Sequence, residues 1–249
     1  MKIPKEKITK NSLILLLGKG KSYLVKPIKF SCEFGTTDLR KLIGKKFGRK
    51  IKIGKKSFTI VRPNIIDFLK KAKRGPQIIL PKDLGLIVSI TGCSPNWKVI
   101  DAGTGSGFLT LFLGNLGCKV YSYEKEKRFY NIAKKNLKKY GLKNIVIKNS
   151  DITKGIKEKN VDLITLDLKN PEKVIKHAFK SLRPGGWIVI YSMHIEEVKR
   201  VFKELKKHDF TNLRIIENLQ RNWQSIKQFT RPKTYMLAHT GFLTFARKL

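Results

Sequence analysis

The sequence predicts an α/β protein in two parts: a small basic β-domain, then an open, mostly parallel sheet with helices on both faces. Three observations carry this. Apolar residues come in short runs between Leu13 and Val61, alternating with period two in the later ones, the pattern of half-buried strands. From about residue 80 short apolar runs alternate with stretches of helical period, as parallel strands with crossover helices do. Charge divides the chain at nearly the same place: residues 1–75 hold 22 Lys or Arg against 4 acids, and the other 174 hold 32 against 14.

In the first part Leu13–Leu17, Tyr23–Val25 and Ile28–Phe30 read as strands, the first two joined by the turn Gly18-Lys19-Gly20. Lys50–Ile53 and Phe58–Val61 flank a Gly54-Lys55 turn, so a small barrel or curled sheet is expected. Arg62-Pro63-Asn64 stops it. Ile65, Ile66, Phe68 and Leu69 then form one helical stripe that ends at Arg74-Gly75-Pro76. The expected division is a basic β-domain over 1–62, a linker helix and lid segment over 63–82, and the main domain over 83–249. In that domain Asp83 caps a helix through Ile90. Strands follow at Lys98–Ile100, Val120–Tyr123, Ile145–Ile147, Val161–Leu166 and Trp187–Tyr191. Helices are expected at Phe108–Leu116, Arg128–Tyr140, Glu172–Leu182 and Glu196–Lys207, and Phe210–Glu217 with Tyr235–Arg247 closes as an antiparallel pair around a loop holding Arg231-Pro232.

The 249 residues carry a formal charge of +36 with 41% hydrophobic residues, too much core material for a disordered polycation. A folded protein with so positive a surface repels itself, and a phosphate backbone is the natural partner. Cys32, Cys93 and Cys118 are widely spaced without a C-x-x-C pair, which argues against a disulfide framework or a thiolate metal site. Lys2, Lys5, Lys7 and Lys10 are followed by no apolar leader. The longest apolar run, Leu13–Leu17, is too short to span a bilayer. A soluble, cytoplasmic protein that uses no metal is expected.

Asp101-Ala102-Gly103-Thr104-Gly105-Ser106-Gly107-Phe108 stands between the first strand of the sheet and a helix. Glycines there let the main chain approach a ligand, and the helix start offers free N–H groups. Glu124, 21 residues after Gly103, ends the second strand, where an acid can accept from both ribose hydroxyls. A dinucleotide site would want glycine where Phe108 stands, and Asp101 would repel a pyrophosphate. The same Asp101 suits a ligand with an ammonium and a sulfonium. The loop therefore resembles that of the class I (Rossmann-like) S-adenosylmethionine-dependent methyltransferases, in which Asp151, after the third strand, matches the position that meets the adenine amino group.

Further segments narrow the likeness. Gln77-Ile78-Ile79-Leu80-Pro81-Lys82-Asp83, Leu166-Asp167-Leu168-Lys169-Asn170-Pro171, Arg183-Pro184-Gly185-Gly186, Arg231-Pro232 and His239-Thr240-Gly241-Phe242-Leu243 follow in order. With the glycine loop they resemble the tRNA adenine-N1 methyltransferases that modify T-loop adenine 58, and in some archaeal members adenine 57. The likeness implies S-adenosylmethionine as methyl donor and tRNA as acceptor. It also implies a homotetramer, Gln77 in the cofactor site, and Asp167 as the catalytic acid residue and a wall of that site. Arg221, Trp223, Arg231 and His239 offer cation and aromatic faces for a flipped base. Lys45, Lys46, Arg49, Lys50, Lys55 and Lys56 are expected to track RNA backbone. The chain departs from the family at Leu80, where an aromatic or His is common, and at Lys169, Asn170 and Glu172. Competing expectations are a protein-isoaspartate methyltransferase with the same cofactor fold, a nucleic-acid-binding module with a vestigial cofactor site, and a nicotinamide dehydrogenase.

Overall fold

The computed structural model describes residues 7–75, 77–226 and 228–249. Lys2 and Lys5 of the basic N-terminal stretch, and Pro76 of the Arg74-Gly75-Pro76 break, lie outside them. The chain forms two compact units that divide between Ala72 and Lys73, within the stretch expected to link them.

The first unit contains β1 (Ile14–Gly18), β2 (Lys21–Val25), β3 (Lys29–Cys32), β4 (Gly35–Asp38), β5 (Lys50–Ile53) and β6 (Lys56–Val61). An antiparallel sheet runs β2-β1-β6-β5, and β3-β4 is a separate hairpin. The alternating residues fill one core with Ile14, Leu16, Ile53, Phe58 and Ile60. A 3₁₀ turn over Leu39–Leu42, which periodicity does not reveal, adds two leucines to it. Helix α1 (Ile65–Lys71) starts in a reciprocal cap: the Asn64 side chain accepts from the Asp67 N–H, and the Asp67 carboxylate accepts from the Asn64 N–H. It packs near β2 and so stays with the first unit.

The second unit contains α2 (Pro81–Thr91), β7 (Lys98–Ala102), α3 (Phe108–Asn115), β8 (Lys119–Tyr123), α4 (Lys127–Tyr140), β9 (Ile145–Lys148), β10 (Val161–Leu166), α5 (Glu172–Ser181), β11 (Leu182–Ser192), α6 (Ile195–Leu205), β12 (Phe210–Glu217), β13 (Trp223–Ile226), β14 (Phe229–Pro232) and β15 (Phe242–Lys248). Seven strands form one sheet in the order β12-β15-β11-β10-β7-β8-β9. The five from β9 to β11 are parallel, and β15 and β12 add antiparallel. Strand alternation explains the two buried faces. Ile100, Ala102, Ile164, Leu166, Ile188 and Ile190 pack with Val174, Ala178, Val201 and Leu205 of α5 and α6. Val99, Asp101, Leu163, Thr165 and Val189 point the other way and are also buried.

Two expectations are corrected. Asp83 does not cap α2: Leu80 is the cap residue and Pro81 takes the first helical position. A proline there is preset for the helix and holds the residue before it extended. Arg231 and Pro232 do not lie in a loop. They end β14, which pairs with β13 as Trp223↔Pro232 and Gln224↔Arg231, the proline being tolerated at the end of an edge strand. The last strand is also shorter than expected, since residues 235–241 lie outside regular secondary structure and β15 begins only at Phe242.

Candidate active site

Strand register places the buried acid at the centre of the second unit. In the parallel pairing, Asp101 of β7 stands opposite Thr165 of β10 on one side and Ser122 of β8 on the other. The buried carboxyl of Asp101 accepts from the hydroxyls of Thr165 (2.8 Å), Thr110 (2.5 Å) and Ser122 (3.5 Å). Burial raises its pKa, and these three donors oppose that rise.

The chain then turns over the strand ends. Gly103 has φ of +86°, and a Cβ there would lie 1.7 Å from the Asp167 carbonyl oxygen, so only glycine fits. The loop is fixed from below: Gly103 and Thr104 donate to the Tyr123 carbonyl at 3.0 and 3.3 Å, and Thr104 Oγ1 meets Ser122 Oγ at 2.6 Å. Glu124 locks its far side, accepting from the Gly105 N–H (2.8 Å) and the Glu126 N–H (2.9 Å). Each carboxylate oxygen keeps a lone pair for a further donor. Gly107 packs against Ala133 and Leu137 of α4 and does not line the cavity.

Above this turn lies a cavity of about 740 Å³, within the size range of small-molecule sites. Gln77, Asp101, Gly103, Thr104, Gly105, Ser106, Phe108, Glu124, Asp151 and Asp167 all line it. Asp151 also caps the short turn after β9, accepting from the Thr153 N–H and hydroxyl, which holds its pKa down. Asp167, at the end of β10, has its pKa pushed up to about 7 by burial and by the carboxylates of Asp101, Glu197 and Glu124. Six acids line the cavity (Asp101, Glu124, Glu126, Asp151, Asp167, Glu197) against two lysines, Lys125 and Lys169. That is a third of the 18 acids in a chain of charge +36. The cavity is built for a cationic ligand.

Several residues that motif reading did not assign hold the walls. Asn136 of α4 accepts from the Lys73 N–H (3.2 Å) and donates to the carbonyls of Lys73 and Ser106 (both 2.9 Å), while Ser106 Oγ accepts from the Gly75 N–H at 2.7 Å. Lys73 and Gly75 are thereby strapped to the glycine loop. Lys82 Nζ is buried with Asp83 at 2.8 and 2.9 Å and also donates to the Thr240 hydroxyl (2.8 Å) and the Asn218 carbonyl (2.6 Å). This tie joins the Gln77–Asp83 and His239–Leu243 segments, which sequence shows only as co-occurring motifs. Tyr191 donates to the Thr240 carbonyl, and a Cβ on Gly241 would strike its ring at 2.5 Å. A lone Asn at a buried helical position among lysines was the available signal for Asn136.

The other expected site residues are dispersed. His239 does not line the cavity: its Nδ1 meets Glu217 Oε1 at 2.7 Å and its Nε2 meets the Met193 carbonyl at 3.0 Å. Both partners are acceptors, so the ring serves both only as the imidazolium, and its pKa is raised chiefly by Glu217. Arg221 and Trp223 are exposed at the start of the β13–β14 hairpin, and Arg231 meets the Thr234 hydroxyl. Lys45, Lys46, Arg49 and Lys50 are exposed on the first unit. Leu80 caps α2, and Asn170 takes a left-handed conformation (φ 56°) that suits Asn, so its departure from the family pattern serves a turn.

A glycine turn at the carboxyl ends of parallel strands, a ribose-competent acid on the next strand and an acid-lined cavity define a class I S-adenosylmethionine-dependent methyltransferase. Solved structures agree. An S-adenosylmethionine-dependent O-methyltransferase from Thermotoga maritima superposes with a TM-score of 0.86 at 30% identity, covering 98% of this chain and 95% of that one. The tRNA (m1A58) methyltransferase TrmI of Aquifex aeolicus gives 0.80 at 28%, covering 98% and 99%. The family model described as the tRNA methyltransferase complex GCD14 subunit matches residues 69–228. The tRNA (adenine(57)-N(1)/adenine(58)-N(1))-methyltransferase TrmI of Methanocaldococcus jannaschii is 33% identical over 94% of both chains. This chain belongs to the GCD14/TrmI family.

Proposed function

We propose that this protein transfers the methyl group of S-adenosylmethionine to N1 of adenine 58 in the T loop of tRNA, with adenine 57 the candidate second target. The observation that carries the reading is the negative cavity beside Asp167 in a molecule of charge +36. Family membership and the names of the TrmI relatives support the acceptor. None of them favours an isoaspartyl substrate.

The residues present fit the cofactor: the glycine turn leaves room for a ligand against the main chain, Glu124 would hold the ribose, Asp151 the adenine amino group, and Gln77 the open side. S-adenosylmethionine supplies an activated methyl on a sulfonium. Adenine N1 is a lone-pair nucleophile at neutral pH, so it needs alignment and not a base. Methylation puts positive charge on the purine, shared with its N6 amino group. The Asp167 carboxylate can accept from N6–H and meet that charge, and the burial that raises its pKa to about 7 strengthens the contact. N1 lies on the pairing edge, so the nucleotide must leave its stack. Residues 1–62 would hold RNA backbone through Lys45, Lys46, Arg49 and Lys50. Residues 63–82 would serve as linker and lid, and residues 83–249 as the catalytic domain. Arg221, Trp223, Arg231 and His239 would border the target loop.

The working form is a cytoplasmic homotetramer. Ile226, Phe229 and Leu237 are 55–67% exposed, an apolar surface that a second copy would cover. Among the described residues no helix is long and apolar enough to cross a membrane. The test is reaction with labelled S-adenosylmethionine and an unmodified tRNA transcript, mapped by reverse transcription. A stop at 57 or 58 is expected, because a methyl on N1 blocks pairing. Label without a stop in the T loop would refute the assignment.

A further inference from the structure

Helix α4 reads Lys-Arg-Phe-Tyr-Asn-Ile-Ala-Lys-Lys-Asn-Leu-Lys-Lys-Tyr: six cations and no acid in fourteen residues. Helix α5, of ten residues, carries Lys173, Lys176 and Lys180 against Glu172. Helix α6, of eleven residues, balances Lys199, Arg200 and Lys203 with Glu196, Glu197 and Glu204. At ~100° per residue the cations of α4 fall on one arc of roughly 140°. Lys127, Lys134 and Lys138 form one row; Arg128, Lys135 and Lys139 form a second. Ala133, Asn136 and Leu137 are buried on the opposite side.

Helix stability does not account for this face. Lys138 and Lys139 suit the negative end of the helix dipole, but Lys127 and Arg128 stand in the first turn, against its positive end, where Glu126 at the cap position is one acid for two cations and the turn itself holds none. Lys134 with Lys138, and Lys135 with Lys139, are like-charge pairs four apart, which weaken a helix. All six are exposed, and none forms an ion pair among the described residues; Lys127 and Lys134 only flank the Tyr130 ring, at 5.1 and 5.6 Å. Four residues of helix rise ~6 Å, close to the step between phosphates of one nucleic-acid strand. The arc contains no apolar residue, so it lacks what a membrane-surface helix would bury.

The inner face of the same helix touches the cofactor loop. Asn136 holds the Ser106 carbonyl, Gly107 packs on Ala133 and Leu137, and Phe129 lines the cavity. We propose that the outward face of α4 is a phosphate-binding surface for the tRNA substrate, additional to the lysines of the N-terminal unit. The inference rests on the function proposed above.

The experiment compares two full-length quadruple variants: K134Q/K135Q/K138Q/K139Q on α4, and K173Q/K176Q/K180Q/K199Q on α5 and α6 as a charge-matched control. The α4 variant should bind transcript ~10-fold or more weakly at fixed salt, with a slope of log Kd against log salt shallower by about 2 to 3. Its affinity for S-adenosylhomocysteine should match the parent, and its Tm should be no lower, since two like-charge pairs are removed from the helix. The control should keep the parental slope. A parental slope in the α4 variant, or equal losses in both variants, overturns the inference. A parent that does not methylate tRNA overturns the proposed function, and this inference with it.

Discussion

The cavity and the surface of this protein have opposite electrostatics. Inside, six carboxyl groups face two lysines; outside, the chain as a whole carries +36. The contrast separates two ligands of opposite charge. A small cation is drawn to the strand ends, and a polyanion is held on the exterior without competing for that cavity. It has a cost: buried carboxyls lose hydration and clustered ones repel one another, and the raised pKa of Asp167 is the trace of its burial first and of that repulsion second.

Removing the Asp167 charge breaks the contrast where it matters most. Asp167→Asn should lower turnover by ~10²–10³, the size expected for losing one preorganised electrostatic contact, with affinity for S-adenosylhomocysteine within a few-fold of the parent. Near-parental turnover would remove Asp167 from the mechanism. The same variant should be more stable at high pH. With its pKa at about 7 in the folded protein and near 3.9 when unfolded, the native state holds a proton that the unfolded chain has released between about pH 4 and 7. Stability therefore falls as pH rises through that window. Asp167→Asn should raise Tm at pH 8, and the gain should vanish near pH 4. A pH-independent difference would contradict the burial described.

Asn136 sharpens the comparison, because it ties the cavity wall to the helix that bears the outer cations. Asn136→Ala leaves the Lys73 N–H and two carbonyls short of a partner, a loss of ~1–3 kcal/mol. The KM for S-adenosylmethionine should rise ~10-fold as the hold on Lys73 loosens, while the KM for tRNA stays near parental. An unchanged cofactor KM with a lowered Tm would reduce Asn136 to packing.

The sequence made the sheet legible because buried parallel strands are short apolar runs and the glycine turn marks where they end. Asp101, Glu124 and Asp167 were legible as strand-end acids. Contacts between distant segments were not. Nothing local links Lys82 to Thr240, 158 residues on, and the strap through Asn136 spans 63. Cys93 and Cys118 looked unrelated, yet their sulfurs lie 3.4 Å apart because β7 and β8, which follow them, run side by side from Lys98↔Lys119. The β13–β14 hairpin was missed because its proline read as a break, although it sits where an edge strand tolerates one.

The smallest effect concerns the first unit. Lys45, Lys46 and Arg49 lie between a 3₁₀ turn and β5 and Lys50 begins β5, all exposed and none in an ion pair among the described residues. Each is worth little alone, since an exposed lysine gains only the counterions it releases from a phosphate. Changing all four to Gln should raise the KM for tRNA severalfold and flatten its salt dependence. Cofactor affinity should stay untouched, because the described residues that line the cavity all belong to the second unit. If the KM for tRNA keeps its parental salt slope, the +18 of the first 75 residues serves something other than RNA binding.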